Sequence, residues 1–551
     1  MAIRKSSSSG IPFGNTAGRP ASPNSGQPYF NGETARLELF TANNSWENIV
    51  QEVPGVSSIS GTYSEQTNSG VISIYGTNFV SGATAYAIGT NAVQVAASST
   101  TFNSLVQVTA TFTGLSSANE PYDIKVQNPS NLFGLLPDAL YVNNTPAWQT
   151  ATGSLGSFAV STSISATVLA TDPESQAITY SLASGSTLPS GVTLNSSTGL
   201  ISGTPPLTNT DTTYTFTVNA TDGINTVSRS FSFLILVPVV SGGTLTSDST
   251  YYYRAFTSSG NLVVSNGSIN ADVLMVGGGG AGGPSVGDND TGKGGGGAGG
   301  ILYKSAHSLA SNTYPITVGN GGAGRTRGNN SPPPPANVGQ PTIAFGVQAN
   351  GGGGGGGSDD HAGTGPSQGG SGGGAGARNN TASFLIGASS NKTSYTGWTS
   401  YGNSGANSQN GNFGGGGGGG AGGAGSEASG GQNDSTGGNG GAGVNFSSTF
   451  GTTYGASGWF GGGGGGGSYA TASLKPQSLG GQGGGGNGVS AREHSQGGQW
   501  LDVGINGVAN TGGGGGGSSE DAGLRENAGS QSGSGGSGIV LIRYTKASVG
   551  G

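Results

Sequence analysis

The residue types that do covalent or metal chemistry are scarce in this chain. It has three histidines (His307, His361 and His494) and no cysteine. "SDDH" at 358–361 puts two carboxylates beside an imidazole, but the spacing is too tight for a familiar metal site. Glu493-His494 is a dipeptide with no partner in view. No stretch offers the paired carboxylates of a glycosidase. GGGGAGG contains G-x-G-x-x-G by chance, yet no helical period follows it, so it does not read as a nucleotide loop. These observations predict a protein without a catalytic, metal or cofactor site. Aromatic side chains are what remains. Tyr395, Trp398, Tyr401, Tyr454, Trp459, Tyr469 and Trp500 stand in Asn/Ser-containing segments between glycine runs. Aromatic rings among small polar residues are how a binding surface is made, since they offer large, rigid, amphipathic contact area. They are the candidate receptor-binding residues, with capping of the protein's own core as the alternative role.

Such side chains need a scaffold, and composition says what it must be. Of 117 glycines only 20 fall in residues 1–238, so almost a third of 239–551 is glycine. There is no G-X-Y period, and the glycines come as blocks: 277–280, 294–297, 351–357, 414–420, 461–467, 483–486 and 512–517. Charged residues are 8 % and the net charge is −7, too little charge for a disordered acidic tail and no basic patch for nucleic acid. Ordering seven glycines costs roughly 10 kcal/mol and buries no side chain. A polyglycine helix of three residues per turn offsets that cost only in a bundle, where bare backbones approach closely and exchange hydrogen bonds. Strand signals at Ala271–Val276 and Gly538–Tyr544 bracket the blocks, which argues for insertion within one domain rather than a linker. Val276, Phe413 and Phe460 stand at block edges, and alanine is the commonest interruption.

The remaining elements read as strands. Tyr29-Phe30, Asn31-Gly32 and Leu37–Phe40 suggest a hairpin, with Leu37 and Leu39 on a buried face and Trp46 over it. Alternating runs at Val71–Tyr75, Val106–Phe112, Tyr122–Val126, Thr213–Val218 and Ser228–Phe233 indicate sandwiches. MAIRKSSSSG lacks an apolar segment behind its basic residues, and Phe231–Val240 is too short to span a bilayer. The expectation is a chain made in the cytosol without export.

Four resemblances then apply. Arg19, Pro20, Pro23, Gly26, Gln27, Tyr29, Phe30, Asn31, Leu37, Glu38 and Trp46 resemble a module near the N-termini of tailed-phage fibre and virion proteins. It implies virion attachment through Tyr29, Phe30, Leu37 and Trp46. Gly76, Asn78, Phe79, Tyr122, Val126 and Asn128 resemble the IPT/TIG branch of immunoglobulin-like domains. "LPSGVTLNSSTGLISGTP" with Tyr214, Phe216 and Val218 is similar to the Putative Ig family of bacterial surface and phage proteins. There Asp172, Glu174 and Asp222 resemble the acids that bind calcium between cadherin repeats, although solvated loop acids explain them as well. "YRAFTSSGNLVV…ADVLMVGGGGAGG" closing on "GGSGIVLIRY" resembles the glycine-rich domain of phage and marine bacterial proteins. Related polyglycine arrangements occur in phage fibre-tip adhesins and certain receptor tyrosine kinases.

Together these imply an all-β fold in four parts: an attachment module (1–52), an IPT/TIG domain (53–143), a cadherin-like Ig domain (144–238) and a jelly-roll-like domain with an inserted polyglycine-II bundle (239–551). The implied protein is a virion tail fibre or other surface appendage that binds a host glycan or outer-membrane protein and contacts other virion proteins. It is expected to be a homotrimer, to be no enzyme and to bind no nucleic acid. A capsid or vertex decoration is the alternative, and a depolymerase a more distant one.

Overall fold

In the computed structural model the described residues are 13–33, 36–48, 52–285, 291–326, 335–357, 365–377, 384–409, 411–432, 434–470, 475–490, 503–519 and 531–551. They are almost entirely strands, turns and extended glycine tracts, with one short α-helix at Ser447–Phe450. No helix among them is long and apolar enough to cross a membrane. The chain divides into two compact units. One comprises Met1–Gly156, Ser163–Pro205 and Thr213–Phe233; the other comprises Ser157–Thr162, Pro206–Thr212 and Leu234–Gly551.

The first unit begins with the expected hairpin. Pro28–Asn31 pairs antiparallel with Arg36–Phe40, matching Phe30 to Leu37 and Tyr29 to Glu38, and Trp46–Asn48 extends the sheet. The buried face is the opposite of the one expected. Tyr29, Asn31 and Glu38 are buried while Leu37 and Leu39 are half-exposed. The cause is Arg19, whose guanidinium donates to both Glu38 oxygens at 2.7 and 2.6 Å while Asn31 donates a third bond. Bidentate pairing makes a buried carboxylate tolerable. The same bonds hold the Glu38 carboxyl below the usual carboxylate range, against the effect of burial. Trp46 covers this face instead of the Leu37/Leu39 face expected for it, 5.6 Å from Tyr29 and 5.3 Å from Phe40 between ring centroids.

Two Ig-like sandwiches follow. In the first, Ser69–Thr77 and Gln107–Thr113 face Thr84–Ile88 and Tyr122–Gln127 across a core of Ile72, Ile74, Phe79, Val108, Phe112, Ile124 and Val126. Strict alternation of buried and half-buried residues along Gln107–Phe112 and Tyr122–Gln127 is what the period-2 pattern requires. Asn78 takes φ +59 after its strand, and Asn128 ties that turn by donating to the Asn78 carbonyl and accepting from the Val80 amide. In the second sandwich, Thr212–Thr221 and Thr226–Leu236 supply Phe216, Val218, Phe231 and Phe233 to the core.

The second unit contains the glycine-rich region. Its six-stranded sheet runs in the order Thr244–Ser247, Tyr251–Phe256, Ile539–Thr545, Ile269–Val276, Ile301–Leu309, Thr399–Tyr401. The last strand of the chain thus sits between two strands that precede every glycine block, with Val276 opposite Ile539. The blocks are therefore insertions within one sheet's connectivity. This sheet is buried on both faces. One packs with Leu262, Val264 and Ile316 of a second, three-stranded sheet. The other carries Leu274, Val276, Ile301, Ile539 and Leu541 against Phe446, Phe450 and Phe460. Two buried faces explain why "VLMV" at 273–276 is continuously apolar instead of alternating.

Candidate functional site

The glycine tracts form neither sheet nor α-helix, and their backbone bonds run to one another. Residues 292–300 show the rule. Lys293, Gly296 and Gly299 donate to Ser518, Gly515 and Gly512; Gly294, Gly297 and Gly300 donate to Gly356, Gly353 and Asn350; Gly292, Gly295 and Ala298 donate to Phe413, Gly416 and Gly419. From Lys293 to Gly300 these bonds are 2.7–3.0 Å long. The donor direction therefore turns through three neighbours and returns every third residue. The carbonyls rotate in the same way: they accept from tracts 277–283, 371–377 and 461–467, as in Gly283 to Gly294, Gly374 to Gly295 and Gly464 to Gly296. Six tracts thus surround this one. A buried backbone needs its polar groups paired, and here neighbouring tracts provide the pairing that a strand or helix provides elsewhere.

At its glycines that packing has no room for a side chain. A Cβ at Gly295 would lie 2.0 Å from the Gly464 oxygen, at Gly279 2.0 Å from the Gly513 oxygen, and at Gly353 1.9 Å from the Ser367 oxygen. Where the chain carries alanine instead, at Ala281, Ala298, Ala375 and Ala421, the methyl is buried. The block also holds polar groups that sequence reasoning missed. Lys293 is fully buried, its Nζ donating to Thr291 Oγ1 at 2.8 Å. Ser518 is also fully buried, and its hydroxyl donates to the Gly283 carbonyl. A lone lysine beside a glycine run gives no signal of burial, so nothing in the sequence could have marked it.

The structure does not gather the candidate aromatics into one surface. Tyr395 and Trp398 lean on the core between the two sheets. Tyr401 and Tyr454 border the core on the other face of the large sheet, where Tyr401 meets Phe446 at 5.9 Å and the Tyr454 hydroxyl bonds Thr246. Trp459 pairs in a two-stranded ribbon with Asn445. These five stand at the end of the block that joins the sheets. Tyr469 stands at the other end, buried and edge-on to Phe413 at 5.4 Å. Trp500, His361 and His494 lie outside the described residues. Thr399–Tyr401 is an edge strand on Ile301–Leu309, because the sheet edge offers unpaired amides to any extended neighbour.

The attachment candidates divide between the two faces of the N-terminal sheet: Tyr29 is fully buried with Trp46 half-buried beside it, whereas Phe30 and Leu37 are half-exposed on the other face. The three acids do not converge either. Asp172 Oδ1 accepts from the Glu174 and Gln176 amides, Glu174 accepts from the Asn144 amide, and Asp222 accepts from Asn143 and from the Ile224 and Asn225 amides. They tie turns and the Asn143-Asn144 segment. No group of three His, Cys, Asp or Glu among the described residues could hold a metal. Asp248 is a further turn lock: the Tyr253 hydroxyl and the Tyr251 and Thr250 amides hold its carboxyl down to about 2. Burial, reinforced by Asp248, pushes the Tyr253 phenol up to about 12.

A family model described as "Glycine-rich domain" matches residues 257–545, more than half of the chain. The chain belongs to the glycine-rich domain family. That match spans every glycine block and ends with the closing strand, while the first two strands of the large sheet, Thr244–Ser247 and Tyr251–Phe256, precede it. A second model, "Putative Ig domain", matches residues 142–236, the second sandwich. No curated protein matches. Among solved structures the chain is similar to DIP-gamma IG1+IG2 at 12 % identity, covering 34 % of this chain and 99 % of that one, with a TM-score of 0.21. The protocadherin GammaB4 extracellular domain gives 16 % identity, 38 % and 40 % coverage and a TM-score of 0.18. Drosophila OTK extracellular domains 3–5 give 10 %, 40 %, 79 % and 0.17.

Proposed function

We propose that the chain is a tailed-phage fibre protein that binds a receptor on the host cell surface. In this reading the N-terminal sheet joins the virion, the two Ig-like sandwiches (the first of IPT/TIG type) form a spacer, and the glycine-rich unit recognises the host. The tracts are polyglycine-II helices. The observation that carries this is the threefold rotation of donors and acceptors along 292–300, since a helix of three residues per turn without internal bonds directs its polar groups in that way. A block so bonded is stiff and chemically uniform. Its recognition chemistry is therefore concentrated in the residues between tracts, and this division of labour suits an adhesin. A spacer has no use for six-neighbour packing.

The test is binding of labelled full-length protein to the cells on which the encoding phage forms plaques. Saturable binding, displaced by unlabelled protein and lowered at least tenfold by periodate or protease treatment of the cells, is the expected result. Periodate sensitivity identifies a glycan and protease sensitivity an outer-membrane protein. Absent cell binding, with the chain located on the capsid by immunogold labelling, moves the assignment to a decoration protein. New reducing ends released from host polysaccharide move it to a depolymerase.

A further inference from the structure

Within the glycine-rich unit one group of side chains is set out in a way its local backbone does not favour. Tyr314, Phe345, His307 and Trp398 form a continuous row, with centroid separations of 5.5, 5.4 and 5.5 Å and interplanar angles of 54°, 74° and 56°. Lys304 stands at the Trp398 end, its Nζ 5.7 Å from that ring's centroid. All five residues are half-buried. One side of the row rests on the core between the two sheets. The other side faces solvent.

Two departures from regular backbone build this row. Phe345 and Gly346 are the central residues of a two-residue hairpin between Thr342–Ala344 and Val347–Ala349, with φ of +53° and +76°. Such a turn favours Asn-Gly, and a bulky residue at positive φ is a genuine outlier. The turn's own chemistry does not select phenylalanine there. The second departure lies in Ile301–Leu309. Ala271 pairs with His307 and Val273 with Lys304, so two residues, Ser305 and Ala306, face Asp272 alone. Ala306 has φ +48° and its amide donates to Asp272 Oδ1. Residues three apart on a regular strand point to opposite faces. The bulge re-phases the strand so that Lys304 and His307 both reach Trp398, which is what bulges do beside binding sites. Strained backbone at two points around one cluster is the usual mark of a functional constraint.

We infer that the row Tyr314–Phe345–His307–Trp398 with Lys304 binds a linear oligosaccharide bearing carboxylates, a uronate-containing glycan. The inference rests on the adhesin reading and names the ligand class and site within it. The C–H face of a pyranose ring is apolar and slightly positive and packs on an electron-rich aromatic face; because neighbouring rings of the row are tilted by 54–74°, each sugar meets one ring rather than a common plane. Lys304 has no carboxylate partner among the described residues, only the Trp398 ring, so its ammonium is left to pair with an acid on the ligand. Burial first, and Lys304 second, lower the His307 pKa, which favours the neutral imidazole as part of the aromatic row.

Isothermal titration of the full-length chain with tetrasaccharides of alginate, polygalacturonate and hyaluronate, against cellotetraose and maltotetraose, tests this. At least one uronate tetramer is expected to bind tenfold or more tighter than either neutral one. Trp398→Ala should lower that affinity at least tenfold. Lys304→Gln should remove the uronate preference and leave neutral binding unchanged. Phe345→Asn is the decisive variant. It should lose binding while the unit stays folded, because Asn-Gly suits the turn and offsets part of the packing lost with the ring. If no tetramer binds, if acidic and neutral tetramers bind equally, or if Trp398→Ala and Phe345→Asn bind as well as the parent, the inference is overturned. Cell binding separates the two readings: variants that still bind cells leave the adhesin reading standing without this site, whereas a parent that binds a uronate tetramer but no cells leaves the site standing alone.

Discussion

Gly296→Val should abolish the fold of the glycine-rich unit, with a loss of more than about 4 kcal/mol, an exceptional value for one substitution. Gly296 lies in the central tract. It donates to Gly515 and accepts from Gly464, both at 2.8 Å, so its backbone is fixed from two sides. An added Cβ falls 2.2 Å from the Gly280 oxygen. That oxygen belongs to a tract bonded in turn to its own neighbours, so local relaxation breaks further hydrogen bonds. Each orphaned buried amide or carbonyl adds about 1–3 kcal/mol. Gly431→Ala is the matched control. Nothing lies within 4 Å of its Cβ position, and a change within about 0.5 kcal/mol is expected. Thermal unfolding followed by circular dichroism distinguishes the two. Equal behaviour of both variants contradicts close backbone packing.

Phe460→Ala should cost about 3–5 kcal/mol, the range for emptying a buried phenylalanine site. Phe460 is fully buried, contacts Phe446 at 6.4 Å between centroids, and belongs to the cluster that includes Val276, Ile301 and Ile539. The tract 461–467 begins immediately after it, and Ala421 donates to the Gly461 carbonyl at 2.7 Å. Phe460 therefore anchors a side-chain-free tract to a conventional apolar core. The cavity left by alanine cannot close by side-chain movement on the block side, since there are few side chains there. A fall in the thermal midpoint on the order of 10 °C follows for a domain of this size. Phe460→Leu should recover most of it, and recovery absent from Phe460→Leu but present in a polar variant contradicts a packing role.

The strands were legible because a pleated, half-buried strand alternates, as Gln107–Thr113 and Tyr122–Gln127 do. The closing strand was legible from its apolar run and from the earlier "ADVLMV" that it pairs with. The long glycine runs marked the block, but several of its tracts carry ordinary residues. Residues 403–409 join the block, with Ala406 donating to Gly417 and Gly405 to Ala388, yet "NSGANSQ" has no homopolymeric mark. On a tract at the rim, some of the three directions face solvent and accept side chains, so composition fades there. The polarity of the N-terminal sheet was misread because alternation shows which residues share a face and not which face turns inward. Arg19, far from Glu38 in sequence, made that choice. The aromatics were read as a set because they share a type and a context. Their positions depend on which end of each tract they follow, and that is decided by the direction of the tract, a property glycine runs do not encode.

Amide hydrogen exchange across residues 292–300, read by mass spectrometry or NMR on the full-length protein, addresses the bonded glycine block most directly. Those amides should exchange only on global opening, slower than unprotected glycine amides by a factor on the order of 10⁴ or more. Exchange at the rate of an unstructured glycine peptide would mean that the tracts bond to water instead of to one another.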